Sequence, residues 1–232
     1  MLCLISLGGT FAASRAYALD DGADTPRLFS FGGMCLNCEL SGRKLTEARF
    51  MGANFTGASL VGSDLRGASF FGSNFIGADL QRADLRGANL FGSNFMNANF
   101  SDANLAGIQG HGVDMMGANL SGGHFERASF RGANLAGANL AGAGFAGADF
   151  HGATLDGAAL GGADLSAAKG LTQDQVDSAC SSQSTRLPAG LALHVCKSGP
   201  HVIILRSPVT PAAPAAAAPP AAPAVRHYIV AF

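Results

Sequence analysis

Large apolar residues recur at every fifth position from Leu40 to Leu165: Leu40, Leu45, Phe50, Phe55, Leu60, Leu65, Phe70, Phe75 and onward to Leu155, Leu160 and Leu165. Only Gly110 interrupts the series. Two residues before each stands something small, usually Ala or Ser (Ala48, Ala53, Ser63, Ala68, Ser73). Directly before it stands Asn, Asp or Ser in most units (Asn54, Asp64, Asn74, Asp79), and two after it Gly (Gly52, Gly57, Gly62, Gly67). A period of five fits neither regular structure. Five residues turn an α-helix by about 500°, which scatters the apolar positions around its axis. Five is also odd, so on a flat strand successive members point to opposite faces. The pattern closes only if the chain bends once per unit, always the same way. Each unit is then a short extended piece and a corner. The Gly and Asn/Asp/Ser positions supply turn chemistry, and the central and small residues point to a shared axis. Such a repeat is a solenoid.

The order of Phe and Leu gives the number of sides. Phe50-Phe55-Leu60-Leu65 is followed by Phe70-Phe75-Leu80-Leu85, and Phe125-Phe130-Leu135-Leu140 by Phe145-Phe150-Leu155-Leu160. Four units make one cycle of twenty residues, so like stacks on like one coil later and the solenoid is a square β-helix. At Leu90 a third Leu precedes Phe95 and Phe100, which moves the phenylalanine stacks around the core. At Ile108-Gln109-Gly110-His111-Gly112, Ile replaces the small residue and Gly the central one, and a bulged or kinked coil is expected.

Units such as Ala78-Asp79-Leu80-Gln81-Arg82 and Ala133-Asn134-Leu135-Ala136-Gly137 resemble the A(D/N)LXX motif of the pentapeptide repeat family. The resemblance covers residues 40–168. It implies an all-β fold, a right-handed quadrilateral β-helix, and little about activity, since the family serves many purposes.

The flanks read differently. Residues 1–18 carry an apolar run and an Ala16-Tyr17-Ala18 cleavage pattern, which predicts a signal peptide and export to the periplasm or outside the cell; the alternative is an apolar segment packed on the solenoid. Residues 19–39 form an N-terminal segment and cap. From Lys169 the repeat stops, and residues 169–206 are expected to make a C-terminal cap. Thr172-Gln173-Asp174-Gln175 is a capping box that opens a short helix over the last coil. Leu191 to Cys196 alternates like a strand, and 201–206 suggests a second. Residues 207–224 are an Ala/Pro linker, and 225–232 an apolar tail.

With the signal removed, Cys35, Cys38, Cys180 and Cys196 remain, an even count that suits disulfides in an exported chain. Cys35-Leu36-Asn37-Cys38 is a C-x-x-C, but no second pair completes a metal site and no βαβ pattern surrounds it. Cys35 falls on the central series and Cys38 on the small position, so both should point into the first coil as a staple or a buried thiol pair. A Cys180–Cys196 bond is expected in the cap. No nucleophile and base group together, so neither catalysis nor a cofactor is expected. An enzyme built on Cys35 and Cys38 is the remaining catalytic reading.

Charge narrows the partners. The formal net charge is −1, which suits neither a basic nucleic-acid binder nor a strongly acidic DNA mimic of the kind this family directs at gyrase. Between residues 40 and 168, ten Asp/Glu face eight Lys/Arg, a net of −2. No apolar run is long enough to span a bilayer. The outward position after each central residue is more informative, because residues twenty apart share a column. One column reads Met51, Phe71, Phe91, then His111 and Arg131; the next reads Thr56, Ile76, Met96, Met116. Met51, Phe71, Phe91, Ile76, Met96 and Met116 therefore gather on two neighbouring sides, which predicts an interface for self-association or a protein partner; the alternatives are that the N-terminal segment or the apolar C-terminal tail folds back over them, or that the repeats merely tolerate them. The function expected is a non-enzymatic structural or interaction scaffold.

Overall fold

The computed structural model describes residues 29–31 and 33–196. The expected signal segment, the strand at 201–206, the Ala/Pro linker and the terminal tail lie outside these residues. The described residues begin with a parallel pair, β1 (Phe29–Phe31) against β2 (Arg49–Met51). From there the residue before each central apolar residue bridges in parallel to the residue twenty further on, from Met34↔Asn54 to Asp149↔Lys169. The twenty-residue cycle is thus the physical coil.

The backbone donors of a unit are fully accounted for, as Ser73 to Gly77 shows. Asn74 N–H donates back to the Ala53 carbonyl at 2.8 Å, while Phe75 and Gly77 donate forward to Asn94 and Met96 at 2.6 and 2.9 Å. Ser73 N–H closes the preceding turn onto the Phe70 carbonyl at 2.9 Å. The fifth donor, Ile76 N–H, sits at the corner where no coil can reach it, and the Asn74 side chain accepts it at 3.0 Å. The Asn/Asp position is therefore an acceptor for the corner, a role its side chain fills two residues along the chain. The residue after the corner must take positive φ, as a type II turn requires. Gly supplies it at Gly72 (φ 62°) and Gly77 (φ 64°), and Arg82, Asn97, Asp102 and Arg127 adopt it without being glycine.

The core is a column of fully buried central residues lined by Ala and Ser. Phenylalanine rings stack coil on coil, Phe55 on Phe75 at 4.7 Å and Phe75 on Phe95 at 4.6 Å. Phe50 stacks on Phe70 at 5.5 Å in the neighbouring column, to which Phe130 on Phe150 at 5.4 Å returns further along, while Phe125 on Phe145 at 5.0 Å opens a new one. Buried serines bond to turn carbonyls: Ser63 Oγ to Leu60 O at 2.8 Å, and Ser93 Oγ to Phe70 O at 2.5 Å.

The coil at Gly110 is not bulged. Gln109 bridges both neighbours in register, and Gly110 N–H donates to Ser129 O at 2.9 Å. Ile108 and Val113 are buried in the small positions on either side. A Cβ built on Gly110 would lie 3.3 Å from Val113 Cγ1 and 3.7 Å from Ile108 Cδ1. Two enlarged neighbours thus fill the space that the missing central side chain leaves, and the backbone has nothing to relieve.

The cap also departs from expectation. Helix α1 (Gln173–Ser178) opens on the capping box of Thr172 and Gln175 and buries Val176. Gln175 Nε2 also donates to the carbonyls of Phe150 and Ala153 at 3.1 and 2.6 Å, which the last regular coil would leave open. The stack then resumes: Ala159 bridges Cys180, and Asp164 bridges Arg186. Residues 176–187 form one more, irregular coil whose extra residues are absorbed at α1 and at the turn after Ser182. Among the described residues the strand expected at 191–196 is reduced to one bridge, Ser181↔Val195.

Candidate interaction surface

The outward apolar residues stand at corners, not on the flat sides. Phe71 and Phe91 are each the first residue of a turn, and Met51 ends β2 at the equivalent position; they are exposed by 43, 46 and 43% respectively. The Phe71 and Phe91 rings stack with centroids 5.3 Å apart and an interplanar angle of 2°. His111 continues the column 6.3 Å from Phe91. On the next corner Met116 is exposed, while Ile76 and Met96 are half-buried. Between these corners lies one flat side bearing Asn54, Asn74 and Asn94, whose carbonyl oxygens are held by the corner N–H groups of Thr56, Ile76 and Met96. Met34 and Leu36, exposed by 68 and 49%, extend the surface into the first coil. Sequence reading missed these two, although they lie twenty residues before Asn54 and Thr56.

The surface is uncharged over three coils: residues 51–57, 71–77 and 91–97 contain no Asp, Glu, Lys, Arg or His. Charge sits elsewhere and is largely self-compensated. Arg66 pairs with Asp64 at 2.7 Å and reaches Asp84 at 3.8 Å, and Arg86 pairs with Asp84 at 2.7 Å. The hydrogen bond from Arg66 holds the Asp64 carboxyl below the usual carboxylate range, and Arg86 does the same for Asp84. At Asp149 burial pushes the carboxyl up. Hydrogen bonds from the His151 backbone and ring, and from Arg131 at 2.9 Å, outweigh it and bring the pKa down to about 2.

Cys35 is disulfide-bonded to Cys38, and Cys180 to Cys196, each with Cα atoms 5.3 Å apart. Cys35 is buried in the first coil, whereas Cys38 is half-buried against the core's end. Among the described residues no three His, Cys, Asp or Glu side chains group to hold a metal ion. No described helix is long and apolar enough to cross a membrane.

A four-sided solenoid of five-residue units with these turns defines the class. The description "Pentapeptide repeats" matches residues 35–72, 68–107, 93–132 and 128–166, in eight copies, and the chain belongs to that family. Membership implies a right-handed quadrilateral β-helix. Among solved structures, the chain is similar to full-length QnrB1, a plasmid-mediated fluoroquinolone resistance protein. That match has 20% identity, covers 70% of this chain and 93% of the other, and has a TM-score of 0.26. It is also similar to HetL, involved in heterocyst differentiation regulation in the cyanobacterium Nostoc sp. strain PCC 7120, at 24% identity over 72% of this chain and 92% of the other, TM-score 0.24. A pentapeptide repeat protein of the Arabidopsis thaliana thylakoid lumen matches at 31% identity over 47% of this chain and 65% of its own, TM-score 0.27. No curated protein matches the chain.

Proposed function

We propose that this protein is a non-enzymatic, exported scaffold that binds protein through the face between the Phe71 and Ile76 corners. The observation that carries the reading is the apolar surface of Met51, Phe71, Phe91 and Met116, uncharged over residues 51–57, 71–77 and 91–97, on a backbone whose own donors are satisfied. Apolar side chains held at fixed spacing lose little further freedom on binding, which favours rigid docking. Scattered surface hydrophobes carry no such meaning, but a contiguous apolar patch does. Export is supported by the cleavage pattern at Ala16-Tyr17-Ala18 and by the two disulfides, which suit an oxidising compartment. The pairing of Asp64, Asp84 and Asp149 with arginines argues against a phosphate-mimicking surface. The test is Phe71→Asp with Phe91→Asp, with circular dichroism to show that the solenoid is kept. Mass by light scattering and protein recovered from a native extract are then compared with wild type. A change in either is expected; no change in both removes the reading.

A further inference from the structure

We infer that the partner of this face is a second copy of the same chain, so that the protein forms a two-fold dimer with solenoid against solenoid. This rests on the interaction-scaffold reading above and adds the identity of the occupant. Three observations point to it.

The first is charge. An isologous contact sets each surface patch against itself, so any net charge on it repels its own image. Residues 51–57, 71–77 and 91–97 carry no charge, whereas other corners carry Arg66, Arg82, Arg86 and Arg127, and along this face charge returns at Asp114 and Arg131. The second is area. Met34, Leu36, Met51, Phe71, Phe91 and Met116 are between 38 and 68% exposed. At on the order of 100 Å² each they offer roughly 600 Å² of apolar surface, the upper end for a monomer. Two copies bury about 1,200 Å², the threshold of a stable interface, before the rim of Asn54, Asn74 and Asn94 is added. The third is spacing. Rows on the face repeat with the coils, about 4.8 Å apart, and Phe71 and Phe91 lie 5.3 Å apart. A second copy has the same rows at the same interval, so a fit at one coil is a fit at every coil along the patch.

An interface at the lower edge of the stable size range is expected to be reversible, with dissociation on the order of micromolar concentration. Sedimentation equilibrium of the purified full chain, across about 1 to 100 μM, is expected to show a monomer–dimer equilibrium. Its dissociation constant should be nearly unchanged by raising salt, since no ion pair holds the contact. Phe71→Asp with Phe91→Asp on one corner, and Met96→Asp with Met116→Asp on the other, should each raise that constant at least about tenfold. Arg82→Asp, on a different corner, should leave it unchanged. Circular dichroism identifies any variant that has lost the fold, and the other corner pair then decides. A wild-type protein that stays monomeric throughout overturns the dimer; if the Phe71/Phe91 variant still loses a captured protein, the scaffold reading survives alone. A dimer that persists in both folded corner variants places self-association elsewhere and overturns the inference.

Discussion

Gly110 offers the sharpest test of how this core is packed, because restoring the repeat there should do harm. Leucine is the commonest central residue, so Gly110→Leu brings the unit closer to its neighbours in sequence. The space is already taken. The first atom of any side chain at 110 would meet the Ser129 carbonyl oxygen at 2.9 Å, a backbone atom, and Val113 Cγ1 at 3.3 Å. The remaining leucine carbons would enter volume held by Ile108 and Val113, both essentially without exposure. Overpacking of this kind costs about 1–3 kcal/mol, and a chain of this size loses roughly 2–4 °C of melting temperature per kcal/mol. Ile108→Ala with Val113→Ala alone should cost several kcal/mol through the cavity left behind, at about 2–5 kcal/mol for an Ile→Ala change. The triple variant, with alanines flanking a central leucine, reproduces the ordinary unit and should recover most of the loss. Thermal melts of the four proteins form a cycle whose coupling energy should be large and favourable. A Gly110→Leu protein that melts at or above wild type, or a triple variant whose loss equals the sum of its parts, would refute this account of the core.

Gln175→Ala removes both the capping-box acceptor and the donor to Phe150 O and Ala153 O. It should cost about 1–3 kcal/mol, with hydrogen exchange rising first in residues 150–187. The low-pH limb of stability should follow the carboxylates. Asp64, Asp84 and Asp149 have folded pKa values below the unfolded value of about 3.9. Their stabilisation is therefore complete above that pH and lost as pH falls towards the folded value, about 2 for Asp149. Melting temperature should drop over that interval, and Asp149→Asn should flatten the drop while keeping the corner bond to His151 N–H.

The architecture was legible because a five-residue period leaves the chain one consistent option, and the Phe/Leu order counted the sides. The capping box at Thr172 was legible for the same reason, as a local pattern with a local consequence. What escaped depended on neighbours in space. A glycine in the central series reads as a defect until Ile108 and Val113 are seen as its fillers. Residues 176–187 carry no repeat, yet backbone ladders tolerate their insertions because Cys180 and Arg186 need only the right edge to pair with. The amide ladder running Asp79, Asn99, Asn119, Asn139, with bonds of 3.0 to 3.2 Å, was visible as a twenty-residue recurrence and was not read. The interaction surface was legible by column. Its position on corners, and its extension to Met34 and Leu36, required the turns themselves.

The closed accounting of donors within each unit has a consequence for how such a chain can change its length. Removing twenty residues takes out one storey and leaves every column above and below aligned, so the surface shortens but keeps its meaning. Removing five preserves every buried contact type, yet turns everything downstream by a quarter revolution. Phe91 would then stand over a different corner from Phe71, and the stacked pair would be dismantled with no loss of core. Insertions and deletions in this fold are therefore of two kinds. One edits reach, the other shuffles which residues are neighbours on the outside, and stability alone does not distinguish them.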